Sequence, residues 1–232
     1  MVLICSAGLV GCLTGETDVA VATDSIAHTP TVIAEDVGRS FTEFRLPASS
    51  AGHLQHVGLR LKFIACGSTG EAQSVYDNAT DDANALLREL DSANEGINVV
   101  MRLKDNRIAQ IRYGASEGVG CDRLPPEGEL DAKGNEPFWS LRIGGDSARV
   151  RTPERPDGVL YIGGRWSRDD AQHWRYAAHR ADLTSDTLTV SLTEVRCIDS
   201  MSAARYPFQV TLIRAGATLT GCALEGRRAF LP

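Results

Sequence analysis

Long apolar runs are missing from this chain. No stretch of 18 consecutive apolar residues occurs in its 232 residues, so no classical spanning helix is encoded. Closely paired cysteines are missing as well. Six cysteines stand at Cys5, Cys12, Cys66, Cys121, Cys197 and Cys222, and none forms a C-x-x-C unit. Catalytic signatures are equally scarce. Gly67-Ser-Thr-Gly70 follows a strand-like run but lacks the Walker lysine, and no Gly-x-Ser-x-Gly element occurs. No internal repeat relates the two halves. A positive surplus is lacking too: the net charge of −6 argues against a polyanion-binding role for the whole chain, and nucleic acid is not an expected partner. What remains is an ordinary globular composition, 43% hydrophobic and 23% charged, which excludes wholesale disorder. The length suits one large domain or two small ones.

The N-terminus reads as a targeting segment. Residues 1–11 carry no charge and match the length of a signal-peptide apolar region, too short to span a bilayer. Leu9-Val10-Gly11-Cys12 resembles a bacterial lipobox, which implies cleavage before Cys12 and acylation of its thiol. A basic start is lacking, the first charge being Glu16. A start codon upstream of Met1 would explain that. The alternative is a buried apolar strand or helix ending in Gly-Cys. Residues 13–40 hold five acids and one base with no sustained period, and read as a flexible tether. As a coil these 28 residues reach on the order of 30 Å. Leu13 follows the cysteine. By resemblance to Gram-negative lipoproteins, the lack of Asp there implies the outer membrane, with the folded body on its periplasmic face.

With Cys5 lost in the signal and Cys12 lipidated, four cysteines remain. An even number in an oxidising compartment suggests two disulfides. Three pairings are possible, the most local being Cys66–Cys121 with Cys197–Cys222. The chain-entropy model gives about 4 kcal/mol for the longer loop and about 3.5 kcal/mol for the shorter. A four-thiolate zinc site is the rival, but the spacings lack a paired-ligand pattern.

The body divides in two. Residues 41–130 carry nine bases and 13 acids, whereas residues 131–232 carry 14 bases and 12 acids and all three tryptophans. A polar segment with Pro125 and Pro126 reads as a linker over 124–133. In the first module (41–123), Phe41–Leu46 is a short strand candidate. Val57, Leu59, Leu61 and Phe63 alternate as a half-buried strand leading to Cys66. Ala83, Leu86, Leu87 and Leu90 fall on one helix face, with Asn78 or Thr80 as cap and Asp81 and Asp82 at the positive end. Ile97–Lys104 and Arg107–Tyr113 flank Asp105-Asn106, a hairpin signal. A barrel of about five strands with one helix fits this order. In the second module (134–226) the strand candidates are Glu136–Ile143, Ala148–Thr152, Val159–Ile162, Trp174–Ala178, Thr187–Cys197, Tyr206–Arg214 and Thr218–Ala223. Hairpin turns are read at Gly144-Gly145-Asp146 and Ala215-Gly216-Ala217. The expected fold is mainly β: two small antiparallel barrel-like modules, the first with one helix, the second a barrel or sandwich.

The second module resembles a family of uncharacterised Gram-negative envelope lipoproteins. The matching motifs are Gly134-Asn-Glu-Pro-Phe-Trp-Ser140, Cys197-Ile-Asp-Ser-Met-Ser-Ala-Ala-Arg-Tyr-Pro-Phe208 and Leu219-Thr-Gly-Cys-Ala223. Members commonly have Gly where this chain has Ser200 and Asp where it has Ala203, so no charge role carries to 203. The first module is similar to the small barrel found beside this domain. The resemblance implies an envelope address and a β-fold, and carries no reaction or cofactor.

Phe138 and Trp139 point to opposite faces of an extended segment, one inward and one outward. Arg196, Asp199, Met201, Ser202, Arg205 and Tyr206 crowd the stretch after Cys197. Polar residues beside a disulfide usually build a hydrogen-bonded loop in which Asp or Ser caps backbone amides. The functional alternative is a preorganised recognition loop. In that reading Glu136, Trp139, Arg196, Asp199, Ser202, Arg205 and Tyr206 line one binding surface. Trp174 and Tyr176 at period two read as core. Among the five histidines (28, 53, 56, 173 and 179), His53 and His56 lie in a loop-like stretch without a nearby acid or thiol. His173 and His179 stand too far apart along a strand to share a metal. No metal site is expected.

These residues suggest a non-enzymatic, lipid-anchored envelope protein that binds an envelope protein or cell-wall component, or maintains the envelope. The alternative is an inhibitor of lysozyme-type hydrolases, with Arg205, Arg196 or a neighbouring Ser entering an acidic cleft. An enzyme acting on peptidoglycan or lipid forms a third class.

Overall fold

The first half of the body is built on period-two strands that bury one face. A computed structural model describes residues 49–77, 82–118, 120–121 and 128–226. All of them belong to one compact unit, Ala34–Pro232. The expected strand at 41–46 lies outside the described residues. Strands β1 (Ser50–Val57), β2 (Arg60–Ala65) and β3 (Gln73–Val75) precede helix α1 (Asp82–Leu90), and β4 (Ile97–Lys104) and β5 (Arg107–Ala115) follow it. They hydrogen-bond in the order β5-β4-β1-β2-β3. Tyr76, just past β3, forms a parallel bridge with Arg107 at the start of β5. Its N–H donates to the Asn106 carbonyl and its carbonyl accepts from the Ile108 N–H, each at 2.9 Å. The bridge links the two ends at one point only: these strands form an open antiparallel sheet, not the closed barrel expected of the first module.

Helix α1 buries Ala83, Leu86, Leu87 and Leu90 against Leu54, Phe63, Ile97 and Met101. Each large side chain so buried contributes about 1.5–3 kcal/mol. The expected caps Asn78 and Thr80, and Asp81 beside them, lie outside the described residues. Asp77 Oδ2 accepts from the N–H groups of Ala83 and Asn84 at 3.0 Å each, occupying donors that the helix leaves free. Asp105 and Asn106 turn the chain from β4 to β5 with φ of 52° and 58°. That geometry suits a two-residue hairpin and the side chains that tolerate positive φ.

The second half closes on itself. Its strands are β6 (Leu130–Asn135), β7 (Phe138–Gly144), β8 (Ser147–Thr152), β9 (Arg155–Arg168), β10 (His173–Arg180), β11 (Leu183–Thr193), β12 (Cys197–Ile198), β13 (Arg205–Tyr206), β14 (Phe208–Arg214) and β15 (Ala217–Glu225). Eight of them form an antiparallel closed barrel, β10-β11-β14-β15-β6-β7-β8-β9. Alternate residues fill the interior: Leu141, Ile143, Val150, Trp166, Trp174, Tyr176, Val190, Phe208 and Val210 are all buried there. Closure removes the sheet edges that otherwise invite aggregation.

Strands β12 and β13 leave this barrel and extend the first module's sheet, Arg205 pairing with Gly114 of β5. Under them lies a shared core of Val100, Tyr113, Ala115, Ala204, Tyr206 and Leu224. The four body cysteines pair as Cys66–Cys121 and Cys197–Cys222, with Cα separations of 4.9 and 5.5 Å.

Several boundaries differ from the sequence reading. β6 begins at Leu130, so residues 130–133 of the expected linker are strand, and residues 122–127 lie outside the described residues. Leu130 and Ala132 face the core while Asp131 and Lys133 face out, a period masked in the sequence by the neighbouring prolines. Glu136 sits in the β6–β7 turn with Pro137, whose preceding peptide is cis. The expected strand at 187–197 divides, because the chain turns at Thr193–Val195 before Cys197 joins β12.

Candidate functional site

Strand β6 sets the centre of the site. Its outward residues pair across β7 and β8 in two rungs. Asp131 faces Arg142, which faces Arg149, which faces Leu160 of β9. Two residues along, Lys133 faces Ser140, which faces Arg151. Adjacent strands are about 4.8 Å apart, so these side chains share a patch of about 10 by 7 Å. They line a groove of 450 Å³ on the outside of the barrel. Two further grooves adjoin it. One, of 330 Å³, shares Lys133, Ser140 and Arg151 and extends to Phe138 and Pro153. The other, of 250 Å³, shares Lys133 and is walled by Asn135, Glu136, Asp199, Ser200 and Gln209. Lys133 is common to all three.

The three arginines of the main groove are loosely held, whereas Lys133 is paired with Asp199 at 3.0 Å. Arg142 approaches Asp131 at 3.7 Å. Arg149 donates to the backbone carbonyl of Asp157 at 3.1 Å. Among the described residues, no carboxylate lies within 4.0 Å of Arg149 or Arg151. Arg142 and Arg149 face each other directly across a strand pair, an arrangement that costs stability when nothing neutralises it. Burial pushes the Asp131 carboxyl above the usual range, against the pull of Arg142 and Lys133.

The loop between β12 and β13 is organised by Asp199, which is 5% exposed. Its Oδ1 accepts from the N–H groups of Met201 and Ser202 at 2.9 and 3.0 Å and from Asn135 Nδ2 at 3.0 Å. Its Oδ2 pairs with Lys133 Nζ at 3.0 Å. Burial alone raises this carboxyl, but the donors from Ser202, Lys133, Asn135 and Met201 outweigh it and hold the group well below the usual range. Lys133 is also placed over the Tyr206 ring, 5.5 Å from its centroid. Burial, helped by the Asp199 charge, pushes the Tyr206 hydroxyl above its ordinary range.

The residues expected to form one binding surface are separated. Glu136 and Asp199 line one groove. Trp139 is 4% exposed and belongs to the barrel core, its indole N–H donating to the Thr220 carbonyl at 3.2 Å. Phe138 is the outward ring, 54% exposed. Gly134 permits the close fit: a Cβ there would stand 2.2 Å from Trp139 Nε1. Tyr206 is buried edge-on against Tyr113. Arg205 pairs with Glu89 of α1 and is mostly covered, so it is not a free probe for an acidic cleft. Arg196 and Ser202 are exposed but outside the grooves described. His53 meets the Glu95 carbonyl, His56 meets Asn84, and His173 meets Asp170. Cys12 and His28 lie outside the described residues.

Lys133, Ser140, Arg142, Arg149 and Arg151 were not singled out from the sequence. Alternation in Ser147–Thr152 puts Arg149 and Arg151 on one face, which is readable from the chain. Only the register of β6, β7 and β8 adds Lys133 and Arg142 to them. No family model matches the chain, and no curated protein or solved structure is similar to it.

Proposed function

We propose that this is a lipid-anchored protein of the Gram-negative envelope, acylated at Cys12 and held at the periplasmic face of the outer membrane, with a binding role rather than a catalytic one. The observation that carries the binding role is the set of adjoining grooves around Lys133, walled by barrel strands and furnished with Arg149 and Arg151, which have no carboxylate within 4.0 Å among the described residues. Groups held on strands of a closed barrel are preorganised, so binding costs little ordering entropy. The two disulfides support an oxidising compartment. The resemblance in the three motifs of the second module supports the envelope address.

Metabolic labelling with a fatty acid tests the anchor. The wild-type chain is expected to take up label and sediment with membranes, and Cys12→Ser to lose both. Unchanged labelling of Cys12→Ser overturns the anchor. Capture from envelope extract tests the binding role: a specific partner retained by wild type is expected to be lost on Arg149→Glu/Arg151→Glu. Identical retention by the two removes the groove from the reading.

A further inference from the structure

We propose that the groove over β6, β7 and β8 is a site for a phosphorylated amphiphile. The oxyanions would sit on Arg142, Arg149 and Arg151, and the apolar part on Phe138 and Pro153. This rests on the binding role proposed above and names its ligand class.

Three observations converge. The first is charge. The chain carries −6 overall, yet Arg142, Arg149 and Arg151 face the same 450 Å³ groove against one acid, Asp131, beside a Lys133 that is already paired with Asp199. The second is partnering. Arg142 and Arg149 stand opposite each other in register, and Arg149 and Arg151 have no carboxylate within 4.0 Å among the described residues. Like charges placed together on adjacent strands are unfavourable until an anion separates them. Guanidinium groups bind phosphate oxygens in bidentate fashion, and the patch is wide enough for two such groups. Ser140, in the middle of the second rung, adds a hydroxyl between Lys133 and Arg151. The third is continuity. The neighbouring groove shares Lys133, Ser140 and Arg151 and ends on a Phe138 ring that is 54% exposed. A cationic end and an apolar end on one continuous surface match a ligand with the same division. Both volumes lie in the range of small-molecule sites.

The test uses the full chain with Cys12→Ser, so that no lipid of its own contributes. The probes are dihexanoyl phosphatidic acid, dihexanoyl phosphatidylcholine and glycerol 3-phosphate, each below any micelle concentration, titrated by calorimetry. Phosphatidic acid is expected to bind at least tenfold more tightly than either of the others, with affinity falling as salt rises. Arg149→Glu/Arg151→Glu is expected to lose at least tenfold for phosphatidic acid. Phe138→Ser is expected to bring phosphatidic acid close to glycerol 3-phosphate. All three replaced side chains are exposed, and an unchanged circular-dichroism melting curve checks that the fold survives. Equal binding of glycerol 3-phosphate and phosphatidic acid overturns the amphiphile and leaves a plain phosphate site. Binding indifferent to the two charge reversals overturns the groove. Fatty-acid labelling at Cys12 and envelope capture are read separately, so a failure here is distinguishable from failure of the anchor or of the binding role.

Discussion

Asp199 ties a loop to a strand by one carboxylate. Two backbone amides, the Asn135 amide and the Lys133 ammonium all point at it. Hydrogen bonds to a charged group contribute more than neutral ones, and a buried donor left without its acceptor costs about 1–3 kcal/mol. Asp199→Asn is therefore expected to destabilise the fold by about 2–3 kcal/mol, read from urea unfolding at pH 7. The pH dependence has a definite sign. The folded carboxyl ionises below its unfolded value, so its contribution is complete above about pH 4 and is lost as the pH falls further. The stability difference between wild type and Asp199→Asn is expected to shrink between pH 7 and pH 2. A constant difference would count against the carboxylate as its source. The motif with Asp beside Cys197 already suggested an amide-capping loop, and the amides of Met201 and Ser202 are held in that way. Its partners Lys133 and Asn135 come from more than 60 residues away, a proximity that spacing alone does not disclose.

The β6–β7–β8 meander positions the candidate site, and its tight packing is visible at Gly134. A methyl there meets the Trp139 indole and the Thr220 carbonyl, at 2.2 and 2.4 Å. Overpacking of a filled core costs about 1–3 kcal/mol. Gly134→Ala is expected to lower stability by that amount and to change tryptophan fluorescence in the native state. Unchanged stability and fluorescence would mean that the barrel wall yields freely at this point. Helix α1 and the Asp105-Asn106 hairpin were readable because their signals are local: an apolar face at helical spacing, and two residues that tolerate positive φ. The grooves were not readable in the same way. Alternation separates inward from outward residues along one strand, but register decides which outward residues become neighbours.

Across the molecule, the two modules share more than a connection. Arg112 of β5 is buried against Glu225 of β15 and Glu194 just past β11, and stacks over the Phe208 ring at 5.0 Å. Removing one member of such a cluster leaves a buried charge without its partner, at about 3–5 kcal/mol, whereas apolar replacement of the whole cluster is often neutral. Arg112→Met is expected to lower the unfolding free energy by about 3–5 kcal/mol, and Arg112→Met/Glu225→Met to recover part of it, the remaining Glu194 being 30% exposed to water. A double variant no better than the single would assign the loss to lost packing of the Arg112 stem. The modules are expected to unfold together in a single transition, since β12, β13 and the Tyr113–Tyr206 contact belong to both.

The sequence by itself determined the mainly β character, helix α1, most strand positions and the inventory of four body cysteines. These follow from periodicity and composition, which act over a few residues at a time. Tertiary structure alone decided that Trp139 turns inward and Phe138 outward, that β12 and β13 cross to the other sheet, and that four cations from three strands face one groove. Each of these depends on barrel closure and strand register. Closure fixes which side of every strand is interior, and register fixes which residues meet across it.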